Sequence, residues 1–351
     1  MQRPPRASQK TQSQPPKSLN PKELLSLYKR GETNFSQVNL SGANLSGFDL
    51  IGSILEEADL RSATLVLTFL NRANLHKARL NNAYLGGANL SQANLFRAHL
   101  RNADLHGAIL AKANLAKSDL SLANLMDANL IGSDLRGAKL GSACLRGACL
   151  RGANMRFENK VYDRAYLQGA DLRGADLRGV NLKEGDLSRA DLRGANLSEA
   201  NLRGCNLEQA NLAGAILCNT MLGQASLQQA DLTGANLWRV LLERADLSDA
   251  KMEGVNLREA NMSNAILDRV RLQNSNLDGA QLVKCTLARA NLMGCTMIHS
   301  ALVQAYLGRT NLSNTNLTSA NLSEAELSSA NLMGAILTDA TMPDGSTYSP
   351  F

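Results

Sequence analysis

The chain of 351 residues carries 37 Lys and Arg against 31 Asp and Glu, which gives a net charge of +6. Most of this excess lies in the first 19 residues, and acids and bases nearly balance in the remainder. No apolar stretch is long enough for a secretory signal or a membrane span, so the sequence argues against both.

Residues 1–19 form a basic tail that is rich in Pro and Gln. The tail holds four of the seven prolines and four basic residues, but no acid. Such a composition cannot build a hydrophobic core, so we predict that the tail is disordered. Its charge supports at most a peripheral contact with an anionic membrane. Few aromatic residues are available for base stacking, so a nucleic-acid partner is not expected.

Residues 20–31 carry the signals of a short helix. Asn20 is a favourable N-cap, Pro21 suits the first helical turn, and Gly31 suits the end. One face of the helix is apolar and consists of Leu24, Leu27 and Tyr28. We predict that this amphipathic helix covers the exposed end of the repeat array that follows, because repeat arrays need capped ends.

A period of five residues runs through 32–155 and again through 165–342. The segment 170–174, Ala-Asp-Leu-Arg-Gly, shows the unit. The central position recurs 61 times and is Leu in 55 of them, and the position two residues earlier is nearly always small. A period of five fits neither a helix nor a flat strand. A chain that turns a corner every five residues can instead point every Leu inward, with four sides in each coil of about twenty residues.

This A(D/N)LXX unit resembles the pentapeptide-repeat family, particularly its long cyanobacterial arrays. The resemblance covers nearly the whole of 32–342 and implies an all-β fold, a right-handed quadrilateral β-helix. At four units per coil, the array predicts a solenoid of about fifteen coils and about 70 Å in length.

Glycine placement predicts the turn type at one corner of the coil. Residues twenty apart should stack, and one such column contains Gly or Asn from Gly174 to Gly334. Gly and Asn accept positive φ, so we predict type II turns in this column. We predict looser turns where Arg, Glu or Gln stand at the equivalent place.

The array breaks once, at residues 156–164. The spacing between the central residues Met155 and Leu167 is twelve, so this segment cannot lie in register. We predict an ejected loop between coils that continue as one body. Loops on rigid scaffolds are common recognition sites, but an insertion without a partner is an equally good explanation. The candidate contact residues in the loop are Phe157, Tyr162 and Arg164.

Residues 343–351 follow the last repeat and show little protection for the final coil. An uncovered last coil could be a docking surface or the interface of a homodimer. The alternative is a tail that folds over the edge with Tyr348 or Phe351 as its plug.

The sequence predicts no enzyme, cofactor or metal site. A narrow rod offers no concavity in which catalytic groups could converge. The six cysteines show no ligand spacing and no disulfide framework, which argues against a metal site and fits a cytoplasmic protein. Two basic columns, at 77, 97 and 117 and at 269, 289 and 309, are expected to be offset by neighbouring acids such as Glu57, Asp268 and Glu259.

Outward apolar residues suggest a contact surface, because Ser or Asn could stand at the same positions. The candidates are Val66, Leu67 and Phe69, then Leu122, Met126 and Ile131, and finally Trp238 and Leu241. The sequence therefore favours a non-catalytic scaffold that binds an unknown protein partner. The resemblance also allows a DNA-mimicking inhibitor of a type II topoisomerase, but such a rod should be strongly acidic and this chain has a pI near 9.0.

Overall fold

The computed structural model of the chain describes residues 18–156 and 165–349. Within the described repeat the backbone pairs through single parallel bridges, one in each five-residue unit, and no strand is longer than one bridge. Away from the break, the bridges of the repeat join a residue to the one twenty positions later, as in the pair Asn39 and Asp59. Four units therefore make one coil of a β-helix, as the period predicts.

The pairing continues across the break in the repeat. Lys139 pairs with Tyr166, which is 27 positions later instead of 20, and the next three bridges share this offset. From Tyr166 to Asp186 the spacing is twenty again. Seven additional residues are thus left out of the ladder, and the coils on either side of the break stack on each other.

Leucine side chains fill the interior of the coil. The central residues from Leu40 to Leu322 are at most 1% exposed. Burying each such Leu contributes about 1.5–3 kcal/mol, which offsets the entropy lost in ordering its unit. Where Thr replaces the inward Ala, its hydroxyl finds a backbone acceptor inside the coil, as when Thr68 Oγ1 donates to the Leu45 carbonyl at 2.8 Å. The inward direction predicted for the leucines is confirmed.

The turn prediction is correct for glycine and wrong for the other residues. Gly174 has a φ of 64°, but Glu57, Arg72 and Gln92 have φ values of 55°, 59° and 59° at the same place in the unit. Across the repeat, 39 residues other than Gly adopt this left-handed conformation. The inward leucines and the bridges on both sides fix the corner, so tertiary packing overrides a local cost of about 1–2 kcal/mol per residue.

In many repeat units the residue that forms the β-bridge, called here the bridge position, is Asn or Asp, and its side chain hydrogen-bonds to the backbone of the following corner. The side-chain oxygen accepts a hydrogen bond from the backbone N–H two residues later, for example from Ser41 to Asn39 Oδ1 at 3.1 Å. The same contact joins Ser91 to Asn89 at 3.1 Å. This Asx turn explains why the repeat prefers D or N before the central Leu.

Helix α1, Pro21–Lys29, covers the N-terminal end of the stack. The Glu23 backbone N–H donates to Asn20 Oδ1 at 2.9 Å, which caps the helix as predicted. Leu24 is completely buried, and the Tyr28 hydroxyl donates to the Ile51 carbonyl at 2.8 Å. Leu27 and Tyr28 are partly buried and pack against the hydrophobic core.

Candidate interaction surface

One corner of the second and third coils carries an exposed apolar patch. Leu67 is 63% exposed and Phe69 is 47% exposed, while Val66 is half-buried beside them. Tyr84 joins them from the next coil, because it pairs with Thr64 on the neighbouring side and is exposed. We call Val66, Leu67, Phe69 and Tyr84 the apolar corner patch.

Glycine lets the patch lie flat. Leu67 leans over Gly87 so closely that a Cβ on this glycine would stand 2.8 Å from its Cδ2 atom. Gly87 also has a φ of 63°, which favours glycine. A side chain here would therefore push Leu67 outward and interrupt the surface. The imidazole ring of His106 lies over the neighbouring Gly86, so a side chain at this glycine would collide with the ring.

The patch is free of charge at its centre and has both acids and bases around it. No charged residue lies in 62–71 or 80–96. Asp49 pairs with Phe69 from the coil before the patch, and Asp104 pairs with Tyr84 from the coil after it. Asp104 Oδ1 also lies 3.0 Å from His106 Nδ1. Arg61 and Arg72 bound the uncharged segment and are both exposed, so the surroundings of the patch select neither a basic nor an acidic partner.

The aromatic residues of the patch replace a structural hydrogen bond. Phe69 and Tyr84 stand at the bridge position, where Asn or Asp normally accepts from the corner N–H. The N–H groups of Asn71 and Gly86 consequently have no acceptor among the described residues. The sequence thus lacks this local bond here and exposes apolar surface, as it also does at Ile109, Met221 and Leu241, which folding alone does not require.

The structure separates the second group of predicted residues. Leu122, Met126 and Ile131 follow successive central leucines, so they lie on three successive corners of one coil. Leu122 is exposed, whereas Met126 and Ile131 are half-buried. They therefore do not form one continuous patch.

The third group forms a smaller apolar contact that includes a residue missed by the sequence reasoning. Leu241 pairs directly with Met221 of the preceding coil, and both are exposed at about two-fifths of their surface. They line a shallow depression with Arg203, Glu243 and Arg244. Trp238 is half-buried at the preceding corner and packs under Arg239, whose guanidinium carbon lies 4.3 Å from the ring centroid.

The predicted loop lies mostly outside the described residues. Arg156 is exposed, and its backbone N–H donates to Asn154 Oδ1 at 3.3 Å. Phe157, Tyr162 and Arg164 fall within 157–164, which the structure does not describe.

In each basic column the structure shows one base paired with an acid, although not always with the acid expected. Lys77 pairs with Glu57 at 3.0 Å, as predicted. Arg269 pairs with Asp249 of the preceding coil at 2.6 Å instead of Asp268. The third expected acid, Glu259, pairs instead with Arg239 at 2.6 Å. Sequence reasoning could not choose between these acids because it lacked the side-chain directions.

Asp and Arg also pair within single units of the form Ala-Asp-Leu-Arg. In the unit of Asp171, Arg173 Nε donates to Oδ1 at 2.8 Å and Nη2 donates to Oδ2 at 2.6 Å. The hydrogen bond from Arg173 lowers the pKa of the Asp171 carboxyl, and burial opposes this effect. These pairs lie flat on the surface and bring no two titratable groups into a cleft.

The thiols and imidazoles of the described residues show no catalytic constellation. Burial raises the pKa of Cys205 and Cys285 to about 12, so these thiols are poor nucleophiles at neutral pH. His76 contacts Glu56 at 2.8 Å and stacks on Phe96. In 18–156 and 165–349 no group of His, Cys, Asp and Glu has the arrangement of a metal site. The helix in these ranges falls short of the length and hydrophobicity that crossing a bilayer requires.

Comparison with known proteins gives a family match over most of the chain. The family profile described as "Pentapeptide repeats (8 copies)" matches overlapping segments that together span 33–156 and 163–339. No curated protein matches the chain.

Several solved structures are similar in sequence. HetL, a pentapeptide repeat protein involved in heterocyst differentiation regulation in the cyanobacterium Nostoc sp. strain PCC 7120, is 29% identical over 94% of this chain and 100% of its own, with a TM-score of 0.26. A pentapeptide repeat protein of the Arabidopsis thaliana thylakoid lumen is 35% identical over 33% of this chain and 66% of its own, with a TM-score of 0.16. QnrB1, a plasmid-mediated fluoroquinolone resistance protein, is 16% identical over 60% of this chain and 92% of its own, with a TM-score of 0.24. The TM-scores are too low to support an argument from superposition.

Proposed function

The chain belongs to the pentapeptide-repeat family, and we propose that it is a non-catalytic cytoplasmic scaffold that binds a protein partner through the apolar corner patch. The observation that carries this proposal is the exposure of Leu67 and Phe69 in a zone without charge. The loop at 156–164 is a second contact in this proposal, and the free thiols of all six cysteines support a reducing compartment. The family membership supports a right-handed stack, and twenty residues per coil give about fifteen coils.

A recovery experiment tests the proposal. The double variant Leu67→Ser with Phe69→Ser removes the centre of the patch without touching the interior. The matched control is Ile266→Ser, which removes an exposed apolar residue on another side of the coil. Tagged protein of each kind is used to recover partners from the native organism, followed by mass spectrometry. We expect a protein that the control recovers and the double variant loses, at unchanged thermal stability. Identical recovery by both variants would refute the proposal.

DNA mimicry remains the alternative that the family suggests. The described surface pairs its acids with Arg or Lys in many units, and the chain as a whole is basic. We therefore expect no inhibition in a supercoiling assay with gyrase. Contact with an anionic membrane or nucleic acid through residues 1–19 is a third alternative. Deleting that tail and measuring salt-dependent binding to anionic vesicles and to DNA tests it.

A further inference from the structure

The C-terminal end of the stack presents apolar side chains that are buried everywhere else. The central residues from Leu40 to Leu322 are at most 1% exposed. In the last coil the same positions are only partly buried, and they are Leu327, Leu332, Leu337 and Met342. On the outer surface of this coil Met333 is 75% exposed and Ile336 is 50% exposed. The end therefore exposes apolar side chains on each of its four sides.

In the described residues 343–349, the tail pairs with one of the four sides at this end. Met342 N–H donates to the Ser346 carbonyl at 2.7 Å, and Tyr348 N–H donates to the Ala340 carbonyl at 2.7 Å. On the other three sides the central N–H groups, which bond to a following coil elsewhere, have no acceptor in the part of the chain that the structure describes. These groups belong to Leu327, Leu332 and Leu337.

The N-terminal end shows how this solenoid is covered. There too one extended segment pairs with one side, since Leu19 N–H donates to the Asn39 carbonyl at 3.4 Å. The rest is covered by α1, which inserts Leu24 completely and packs Leu27 and Tyr28 against the hydrophobic core. The helix carries Lys22 and Lys29 on its other surface, and Arg30 follows it. A nine-residue amphipathic helix is thus sufficient to cover one end of this coil.

The charge at the C-terminal end is acidic. No Lys or Arg follows Arg309. Four acids lie in the same stretch, and all of them are exposed: Glu324, Glu326, Asp339 and Asp344. A second copy that met this end with its own C-terminal end would bring like charges together, whereas a basic segment would be attracted.

We propose that the C-terminal end binds a short, basic, amphipathic helix of a partner protein, in the way that α1 covers the first coil. The apolar face of that helix lies on the exposed leucines, and its Lys and Arg side chains meet Glu326 and Asp339. This goes beyond the scaffold function proposed above and does not depend on the apolar corner patch. The homodimer expected from the sequence remains a prediction that the same experiment separates from this one.

The probe is a fluorescent synthetic peptide with the sequence of residues 19–31, added to the full-length chain and followed by anisotropy. The test variant combines Glu326→Gln and Asp339→Asn. Gln keeps the oxygen that accepts from Ser328 N–H at 2.9 Å, and Asn tolerates the φ of 56° at position 339, so the fold is retained. We expect micromolar binding that the variant weakens about fivefold and that added salt also weakens. A peptide with Leu24→Ser and Leu27→Ser should not bind.

Three results would overturn the proposal. The first is equal affinity of the wild type and the neutralised variant, which would place the peptide elsewhere, for example in exchange with α1. The second is no binding at all. The third is self-association of the chain that strengthens on neutralising the two acids, measured by sedimentation velocity, because a second copy would then occupy the end. The variant Leu67→Ser with Phe69→Ser should bind the peptide normally. The proposal for the C-terminal end can therefore be refuted without refuting the proposal for the apolar corner patch.

Discussion

The two ends of this β-helix differ in how the apolar interior of the terminal coil is covered. At the N-terminal end α1 buries Leu24 completely over the first coil. At the C-terminal end Leu332 and Leu337 stay partly exposed, and the described part of the tail after Met342 pairs with a single side. The repeat unit is the same at both ends, so the difference comes from sequence outside the period. The ends of a repeat array are therefore specified separately from its interior.

This difference predicts uneven stability along the stack. In a solenoid each coil contacts only its neighbours, so a terminal coil has one interface instead of two. The first coil regains a second interface from α1, and the last coil does not. We expect local opening to begin at the C-terminal end, which hydrogen exchange can resolve coil by coil.

The largest expected effect comes from removing the helix anchor. Leu24→Ala deletes a completely buried side chain and should cost about 2–5 kcal/mol in the first coils. Leu332→Ala deletes a partly buried side chain at the open end and should cost clearly less. Native-state hydrogen exchange of the first and last coils measures both. Leu24→Met, which conserves volume, is the control and should cost under about 1.5 kcal/mol. Equal losses at the two ends would contradict the comparison.

Glycine at the corners gives a second, smaller contrast. Gly42→Ala, in the first coil, should cost about 1–2 kcal/mol, because φ is 67° and the space around a new Cβ is empty. Gly334→Ala, in the last coil, should cost more locally, because φ is 71° and the Asn314 side chain occupies the place of the new Cβ. Exchange rates of amides in the same coils measure the two losses. Gly334→Ala in an Asn314→Ala background is the control, and its cost should return to that of Gly42→Ala.

The interior of the fold could be predicted from the sequence, and its turns could not. A period of five, with Leu at the centre and a small residue before it, leaves few ways to bury the leucines, and Leu40 and its successors point inward as expected. Local propensity suggested looser turns at Glu57 and Arg72, but both adopt the same left-handed conformation as glycine. Packing of the whole coil decides that conformation, and no single unit reveals it.

The candidate surface could be predicted only in part. Leu67 and Phe69 stand out because they replace polar residues, but Tyr84 and Met221 were missed although they stack on Thr64 and Leu241. Reading the sequence in steps of twenty would have found both. The direction of a side chain could not be predicted in this way, because the pairing of Arg269 with Asp249 depends on the rotamers of both residues.

The helix cap offers a milder way to weaken the covered end. Asn20→Ala removes the oxygen that accepts from Glu23 N–H and should cost about 1 kcal/mol. The loss should appear as faster exchange of the first coil, with no change in the last coil. Asn20→Ser retains a capping oxygen and should restore most of the protection. A loss that extends equally to both ends would show that the array unfolds as one unit, so that the two ends could not be compared separately.

The smallest effect concerns the Asp–Arg pairs between the ends. Hydrogen bonds from Arg173, Arg178 and Arg193 lower the pKa of Asp171, Asp176 and Asp191 below the ordinary value of 3.8. Because the folded pKa is the lower one, the stabilisation is fully present above pH 3.8 and is lost as the pH falls through the folded values. Because the three guanidinium groups are exposed, solvent screens each pair and its contribution to the free energy of unfolding is small.

Thermal unfolding at pH 5 and pH 2.5 tests this in the wild type and in a triple variant with Asn at the three Asp positions. The triple variant should be slightly less stable at pH 5 and should lose less on acidification. Between pH 7 and pH 5 these pairs stay charged, so they should leave the contrast between the two ends unchanged. An equal loss on acidification in both proteins would assign the acid sensitivity to other carboxyls. Glu326 of the last coil and Asp344 of the tail, whose pKa values are lowered by hydrogen bonds from Ser hydroxyl and N–H groups, would be the next to replace.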